Sequence, residues 1–313
     1  MIRYRLYAGT APGPKYQEKG WDCQDCSKIF TFDDTQIAVL ADGHGSGNCF
    51  RSEHGARIAC EAAIKMTWLY RVFEDRSKNV QRFSDSGIES FKYAIAKEWR
   101  LSVREDWIKR ASRTHKLGDG EVRYAAVKEK FLDRYNSEDK NIVERYLYTA
   151  YGTTLLLAVS IENQVLLLQI GDGTCVVLRR DGTFCCPIPV DENNYLNVVV
   201  SICEEDADLK MRHAIIDCDE DSPQAPVAIF MTSDGVDDCF PVFENDKHLY
   251  GLCSVIIENI LENGFEATEK EMTKDLLPGL TEKGSKDDIS MCYLVTEDMD
   301  ALREALEASK TND

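Results

Sequence analysis

Residues 153–182 read TTLLLAVSIENQVLLLQIGDGTCVVLRRDG. Three apolar runs, 153–163, 164–172 and 174–182, follow one another with almost no spacer. Glu162-Asn163, Gly171-Asp172-Gly173 and Asp181-Gly182 supply turn residues at their ends. Runs so close together join naturally as hairpins, because a parallel return needs a crossover of about a dozen residues or more. The stretch therefore predicts antiparallel strands. Working outward, YLNVVVSI (195–202) and VAIFMTSD (227–234) extend this block. An earlier block holds RYRLYAG (3–9), CSKIFTF (26–32) and TQIAVLAD (35–42). Between the blocks, EHGARIACEAAIKMTWLYRVF (53–73) places Ile58, Ala62, Met66 and Leu69 three and four residues apart, which is helical spacing. Residues 74–148 read as one or two more helices, with SFKYAIAKEWRLSVREDWIKRA and AAVKEKFLDRY on either side of a break at THKLGDGEVR (114–123). HLYGLCSVIIENILENG (248–264) predicts a helix stopping at Gly264. DDISMCYLVT (287–296) predicts a last strand, and EDMDALREALEAS (297–309) an acidic tail helix with Met299, Leu302 and Leu306 on one face. Together these give one α+β domain of two mainly antiparallel sheets with helices outside, over 1–296, plus a tail helix over 297–313.

The composition narrows the function classes. A net charge of −18 argues against a general nucleic-acid binder, which needs a basic surface to displace counterions. It argues equally against docking on anionic lipid. No window approaches the ~18 uninterrupted apolar residues of a membrane span. MIRYRLYAGTAPGPKYQEKG carries no continuous apolar core of a signal peptide. The expected setting is a reducing cytoplasm, with the twelve cysteines as thiols. Cys60, Cys203, Cys253 and Cys292 lie within apolar patterns, and the vicinal pair Cys185-Cys186 reads as structural. Cys23-x-x-Cys26 leaves a metal or redox pair open.

The chemistry sits at strand ends. IAVLADGHGSG (37–47) ends an apolar run on Asp42-Gly43, with His44 next. VLLLQIGDG ends at Asp172-Gly173, VAIFMTSDG at Asp234-Gly235, and the last strand opens at Asp287. One Asp-Gly pair is a common hairpin turn, and that reading stands at any single position. Four Asp residues at strand ends are harder to explain so, because a buried charge is costly unless paired or bound to metal. The flanking residues supply little Lys or Arg, Lys286 excepted. Hard cations such as Mg²⁺ or Mn²⁺ favour carboxylate and carbonyl oxygens. A pair of them would relieve the repulsion between close carboxylates. Asp42-Gly43-His44 lacks the Asp-x-Asp of haloacid-dehalogenase-type phosphatases, and no G-x-x-x-x-G-K-[ST] loop is present.

These residues carry a resemblance. Gln24-Asp25, Ala41-Asp42-Gly43-His44-Gly45 with Arg51-Ser52-Glu53-His54-Gly55-Ala56, Tyr151-Gly152-Thr153-Thr154, Ile170-Gly171-Asp172-Gly173, Thr232-Ser233-Asp234-Gly235-Val236 and Lys286-Asp287-Asp288-Ile289-Ser290 stand in the chain in that order. The series resembles the PPM-class metal-dependent serine/threonine protein phosphatases (type 2C phosphatases), especially their bacterial-type branch. The resemblance implies a β-sandwich flanked by helix pairs and a pair of Mg²⁺ or Mn²⁺ ions, with a third, weaker site. By it, Asp42 bridges two ions, the Gly43 carbonyl touches one, and Asp234 and Asp287 complete that ion's shell. Asp25 carries the second ion, and Asp172 serves the third. His44 matches the proposed general acid, an imidazole being suited to proton transfer near neutral pH. Read alone, His44 is a turn histidine bonded to a backbone carbonyl. The implied substrate is a phosphoserine or phosphothreonine protein, with a cognate kinase as a further partner and the enzyme a monomer. Two departures matter. The family often has Glu-Asp where this chain has Gln24-Asp25, and the upstream phosphate-holding Arg or His is absent, leaving Lys15 in GPKYQEKG as the nearest candidate. They keep open a second reading, a catalytically weak or inactive phosphatase fold that acts as a binding module. The segment 74–148 falls where the family varies. Its Trp99 and Trp107 read as helix-core aromatics or as a docking surface.

Overall fold

The computed structural model describes residues 2–18, 20–73, 83–113, 140–190 and 199–312. Among these residues ten strands run in chain order: β1 (Tyr4–Ala11), β2 (Cys26–Phe32), β3 (Thr35–Ala41), β4 (Leu155–Ile161), β5 (Gln164–Ile170), β6 (Thr174–Arg179), β7 (Phe184–Cys185), β8 (Arg212–Asp217), β9 (Pro226–Thr232) and β10 (Ile289–Thr296). They form two five-stranded sheets, in the orders β1-β10-β9-β6-β7 and β2-β3-β4-β5-β8. Every pairing is antiparallel. The helices are α1 (Pro14–Gln17), α2 (Ser52–Phe73), α3 (Asp85–Arg113), α4 (Lys140–Ala150), α5 (Ala207–Lys210), α6 (Asp234–Asp237), α7 (Asn245–Asn263), α8 (Phe265–Glu271), α9 (Leu277–Lys283) and α10 (Met299–Asn312), with a π-helical turn at Met272–Leu276 between α8 and α9.

The unbroken apolar runs arise because these strands are covered on both faces. Along β4, Leu155, Leu157, Val159 and Ile161 pack towards α2, α3 and α4. The alternate residues Leu156 and Ala158 meet Ile229, Met231, Cys292 and Leu294 of the other sheet. Along β10, Ile289, Met291, Tyr293 and Val295 turn outward to α7, the π turn, α9 and α10. The order of layers is therefore helices, sheet, sheet, helices, the sandwich that the resemblance implied. The tail helix belongs to it: Leu302, Ala305 and Leu306 enter the core under β9 and β10. Trp99 is fully buried and donates its indole N–H to the Gly55 carbonyl at 3.1 Å, so it is a core aromatic. Gly264 ends α7 at φ +81°, as expected.

The strand expected at 195–202 is not formed in its described part, 199–202. There Val200 and Ile202 pack as a loop over the helix-facing core, and the apolar residues serve burial rather than a ladder. The place beside β5 is taken by β8, whose half-buried residues give no clear alternation. AAVKEKFLDRY and the break at 114–123 lie outside the described residues. All twelve cysteines are free thiols, Cys23 and Cys26 among them. No helix among the described residues is long and apolar enough to cross a membrane.

Candidate active site

The loop after β3 is held by the start of β4. Thr154 donates its N–H to the Asp42 carbonyl at 2.8 Å, and the Thr153 hydroxyl donates to the same oxygen at 2.8 Å. The Asp42 N–H returns to Thr154 Oγ1 at 3.0 Å. Asp42 thus leaves the strand with its main chain fully bonded and its side chain free to point into the cleft. Gly43 follows because nothing larger fits: a Cβ there would lie 2.7 Å from the Gln24 carbonyl oxygen and 2.8 Å from the Ser52 main chain. Ser52, fully buried at the start of α2, accepts the Gly45 N–H at 3.1 Å and lies 2.8 Å from Gln24 Oε1. The Gln24 amide also donates to the Asp22 carbonyl. Gln24 therefore ties two loops together, and Asp25 is the carboxylate that the pair presents to the site.

The opposite sheet supplies the remaining acids. β9 runs into α6 through Ser233, whose N–H donates to the Ser290 carbonyl at 3.0 Å; Ser290 returns its N–H to Ser233 Oγ at 2.9 Å. Asp234 opens α6, and Asp287 lies two residues before β10 across this clasp. A Cβ on Gly235 would lie 2.1 Å from the Asp288 carbonyl, which fixes glycine there too. Lys15, on α1, donates Nζ to Asp287 Oδ2 at 2.7 Å.

The electrostatics shows how tightly these groups are gathered. Burial, then the charges of Asp25 and Asp234, hold the Asp42 carboxyl well above the usual range. Burial, then Asp288, does the same to Asp25. Both Asp25 oxygens are buried with no hydrogen-bond partner among the described residues. The nearby Ser233 and Ser290 hydroxyls pull its pKa down without reaching hydrogen-bond geometry. Burial and Asp234 push Asp172 up to about 6. Burial lowers the Lys15 pKa, but the bond to Asp287 and the charges of Asp287, Asp234 and Asp42 outweigh it and raise it. The His44 N–H donates to the Gly152 carbonyl at 3.3 Å, and the imidazole lies against Gly152. Burial draws its pKa below 6.5 against the opposing charges of Asp234 and Glu204. The bond to the Gly152 carbonyl is made by the main-chain N–H, and the ring makes no hydrogen bond among the described residues.

All the acids singled out from the sequence, with His44 and Lys15, thus meet at one end of the sandwich. Their chemistry fits a hard divalent cation: oxygen donors, two of them orphaned on Asp25, with protonation favoured where charge stays uncompensated. The spacing is looser than a closed ligand set, since no three His, Cys, Asp or Glu side chains among the described residues stand at metal-binding distance. Two further residues belong to the site. Tyr16 is buried among Asp287, Asp42, Asp288 and Asp25, and its hydroxyl would touch a Cβ on Gly45 at 2.3 Å. Asp237 accepts hydrogen bonds from the Thr174 hydroxyl at 2.5 Å and the Thr232 hydroxyl at 3.1 Å. Burial, opposed by those bonds and supported by Asp234 and Asp172, pushes it up to about 7. A tyrosine beside Lys15 and a second acid after Asp234 were the signals available, and neither carries a direction without the fold.

Known proteins share this architecture. Serine/threonine phosphatase Stp1 from Staphylococcus aureus superposes with a TM-score of 0.51 at 16% identity, covering 95% of this chain and 96% of its own. A bacterial serine phosphatase superposes at 0.50 and 14% identity, covering 95% and 98%. A C. elegans sex-determining protein reaches 0.52 at 11% identity, covering 99% of this chain and 68% of its own. At such identities the likeness is one of fold. No curated protein matches the chain by sequence. Residues 12–276, which span the stretch from α1 to the π turn, match the family described as protein phosphatase 2C, and the chain belongs to that family.

Proposed function

We propose that the chain is a metal-dependent protein phosphatase that hydrolyses phosphoserine and phosphothreonine by direct attack of water. The observation that carries this reading is the gathering of Asp25, Asp42, Asp172 and Asp234 from four separate segments, with no hydrogen-bond partner in good geometry for the Asp25 oxygens among the described residues. Asp42, the Gly43 carbonyl, Asp234 and Asp287 would hold one Mg²⁺ or Mn²⁺ ion, Asp25 and Asp42 a second, and Asp172 a third. Such ions lower the pKa of water and polarise phosphoryl oxygens. The chain's own residues do the rest. Lys15 Nζ donates to a phosphoryl oxygen of the substrate. Water adds to phosphorus as the bond to the seryl or threonyl oxygen breaks, and His44 gives that leaving oxygen its proton. Inorganic phosphate and the free hydroxyl protein result. A phosphoprotein, and the kinase that modifies it, would be the partners of a monomeric enzyme.

One observation favours the second reading, a binding module: Lys15 already neutralises Asp287 within the chain. Hydrolysis of a phosphothreonine peptide with Mn²⁺, with and without chelator, separates the two. The enzyme turns over only with Mn²⁺ and loses turnover in Asp234→Asn. A module would melt at higher temperature with Mn²⁺ yet release no phosphate.

A further inference from the structure

Asp288 has no role in the chemistry described above, yet it is buried, with 3% of its surface exposed. Its two oxygens have different partners. Oδ1 accepts the Gly13 N–H at 2.6 Å, and Oδ2 accepts the Gln24 N–H at 2.6 Å. Gly13 lies two residues before Lys15, and Gln24 one before Asp25. Neither segment is part of a strand, and β1 and β2 on either side of them belong to different sheets. The first segment is pressed against the entry of β10: a Cβ on Gly13 would lie 2.3 Å from the Asp287 carbonyl carbon, and the Lys15 N–H donates to the Lys286 carbonyl at 3.2 Å. Asp288 itself is fixed by the main chain, its N–H donating to Asp287 Oδ1 at 3.0 Å.

We propose that Asp288 is a positioning residue, a two-armed brace that sets Lys15 and Asp25 in register with Asp287; what the three positioned groups then do rests on the phosphatase reading. The chemistry demands a carboxylate. Two N–H donors approach from two segments, so two acceptor oxygens are needed. An asparagine offers one oxygen and turns an NH₂ against the other donor. Short charge-assisted bonds of this kind are stronger than neutral ones. Removing one should loosen one segment, and removing both should loosen both.

The test uses the full chain and three readouts. Amide exchange at Gly13 and Gln24 reports the brace directly, because exchange follows local opening. Calorimetric titration with Mn²⁺ reports the ion site, and steady-state hydrolysis of a phosphothreonine peptide reports kcat and KM separately. In Asp288→Ala both amides should exchange faster, Mn²⁺ should bind ~10–100-fold more weakly, as for other groups that orient ligands, and kcat should fall while KM rises. Asp288→Asn should retain one slow amide and an intermediate Mn²⁺ affinity. It is also the variant to use where Asp288→Ala fails to fold. Variants that melt cooperatively, exchange Gly13 and Gln24 as slowly as the unmodified protein and bind Mn²⁺ within twofold of it overturn the brace. An unmodified protein that binds Mn²⁺ without turnover overturns the phosphatase reading instead, and the exchange and titration results still decide the brace.

Discussion

At the scale of single residues, His44 makes the sharpest demand on the mechanism. Burial favours its neutral form, and the charges of Asp234 and Glu204 work to keep the proton. A proton donor is needed for a poor leaving group and dispensable for a good one. His44→Gln should therefore slow hydrolysis of a phosphothreonine peptide ~10²–10⁴-fold, yet leave p-nitrophenyl phosphate hydrolysis nearly unchanged. Equal losses on both substrates would mark His44 as structural. In the unmodified protein, kcat/KM for the peptide should decline as pH rises through the His44 pKa, which lies below 6.5 in the free protein, and the variant should lose that limb. The acids and the histidine were legible because motifs at strand ends announce them. Gln24 was legible only as a departure from Glu-Asp. That its amide holds Ser52 and the Asp22 carbonyl depends on a partner twenty-eight residues away, which no local pattern encodes.

At the scale of elements, the start of α2 is where close approach matters most. A Cβ on Gly55 would stand 1.8 Å from the Tyr151 carbonyl oxygen, and the Gly55 carbonyl receives Trp99. Gly55→Ala must push α2 away from the segment that leads into Thr153 and Thr154. It should destabilise the protein by about 1–3 kcal/mol, the usual range for overpacking. Urea unfolding measures this, and an unchanged midpoint would show that the helix can shift freely. The same elements show what a sequence can reveal. β3, β4 and β5 were readable because burial on both faces writes a continuous apolar run. β8 was not, since its side chains are half-buried on each face. Residues 265–283 were missed for a geometric reason. Thr268, Met272, Leu277 and Thr281 are the buried positions, spaced four, five and four, and the step of five is the π turn at Met272–Leu276. A search for a 3.6-residue period loses its phase there.

At the scale of the whole molecule, the gathered acids make stability a function of pH and of cations. Asp172 and Asp237 are pushed up to about 6 and about 7, against ~3.9 in an unfolded chain. Their folded forms hold protons that the unfolded chain has released, so their contribution is full below about pH 4 and is lost as pH rises through 6 to 7. In chelator, Tm should fall between pH 5 and pH 8. The increment given by Mn²⁺ should grow over the same range, because ligands must be deprotonated to bind. A Tm that stays level in chelator would contradict this account of the site. The pairing of β1 with β10 has a consequence of another kind. Tyr4 lies opposite Thr296 and Ala11 opposite Ile289, so among the described residues the first strand of the sandwich finds its ladder in the last. Chain closure of that span is entropically slow. During synthesis the first strand must wait for its partner until residues 289–296 emerge. Asp287 arrives with that final strand, so the candidate site is assembled at the end of folding, and a nascent chain carries Asp42 and His44 long before the cleft that gives them a purpose exists.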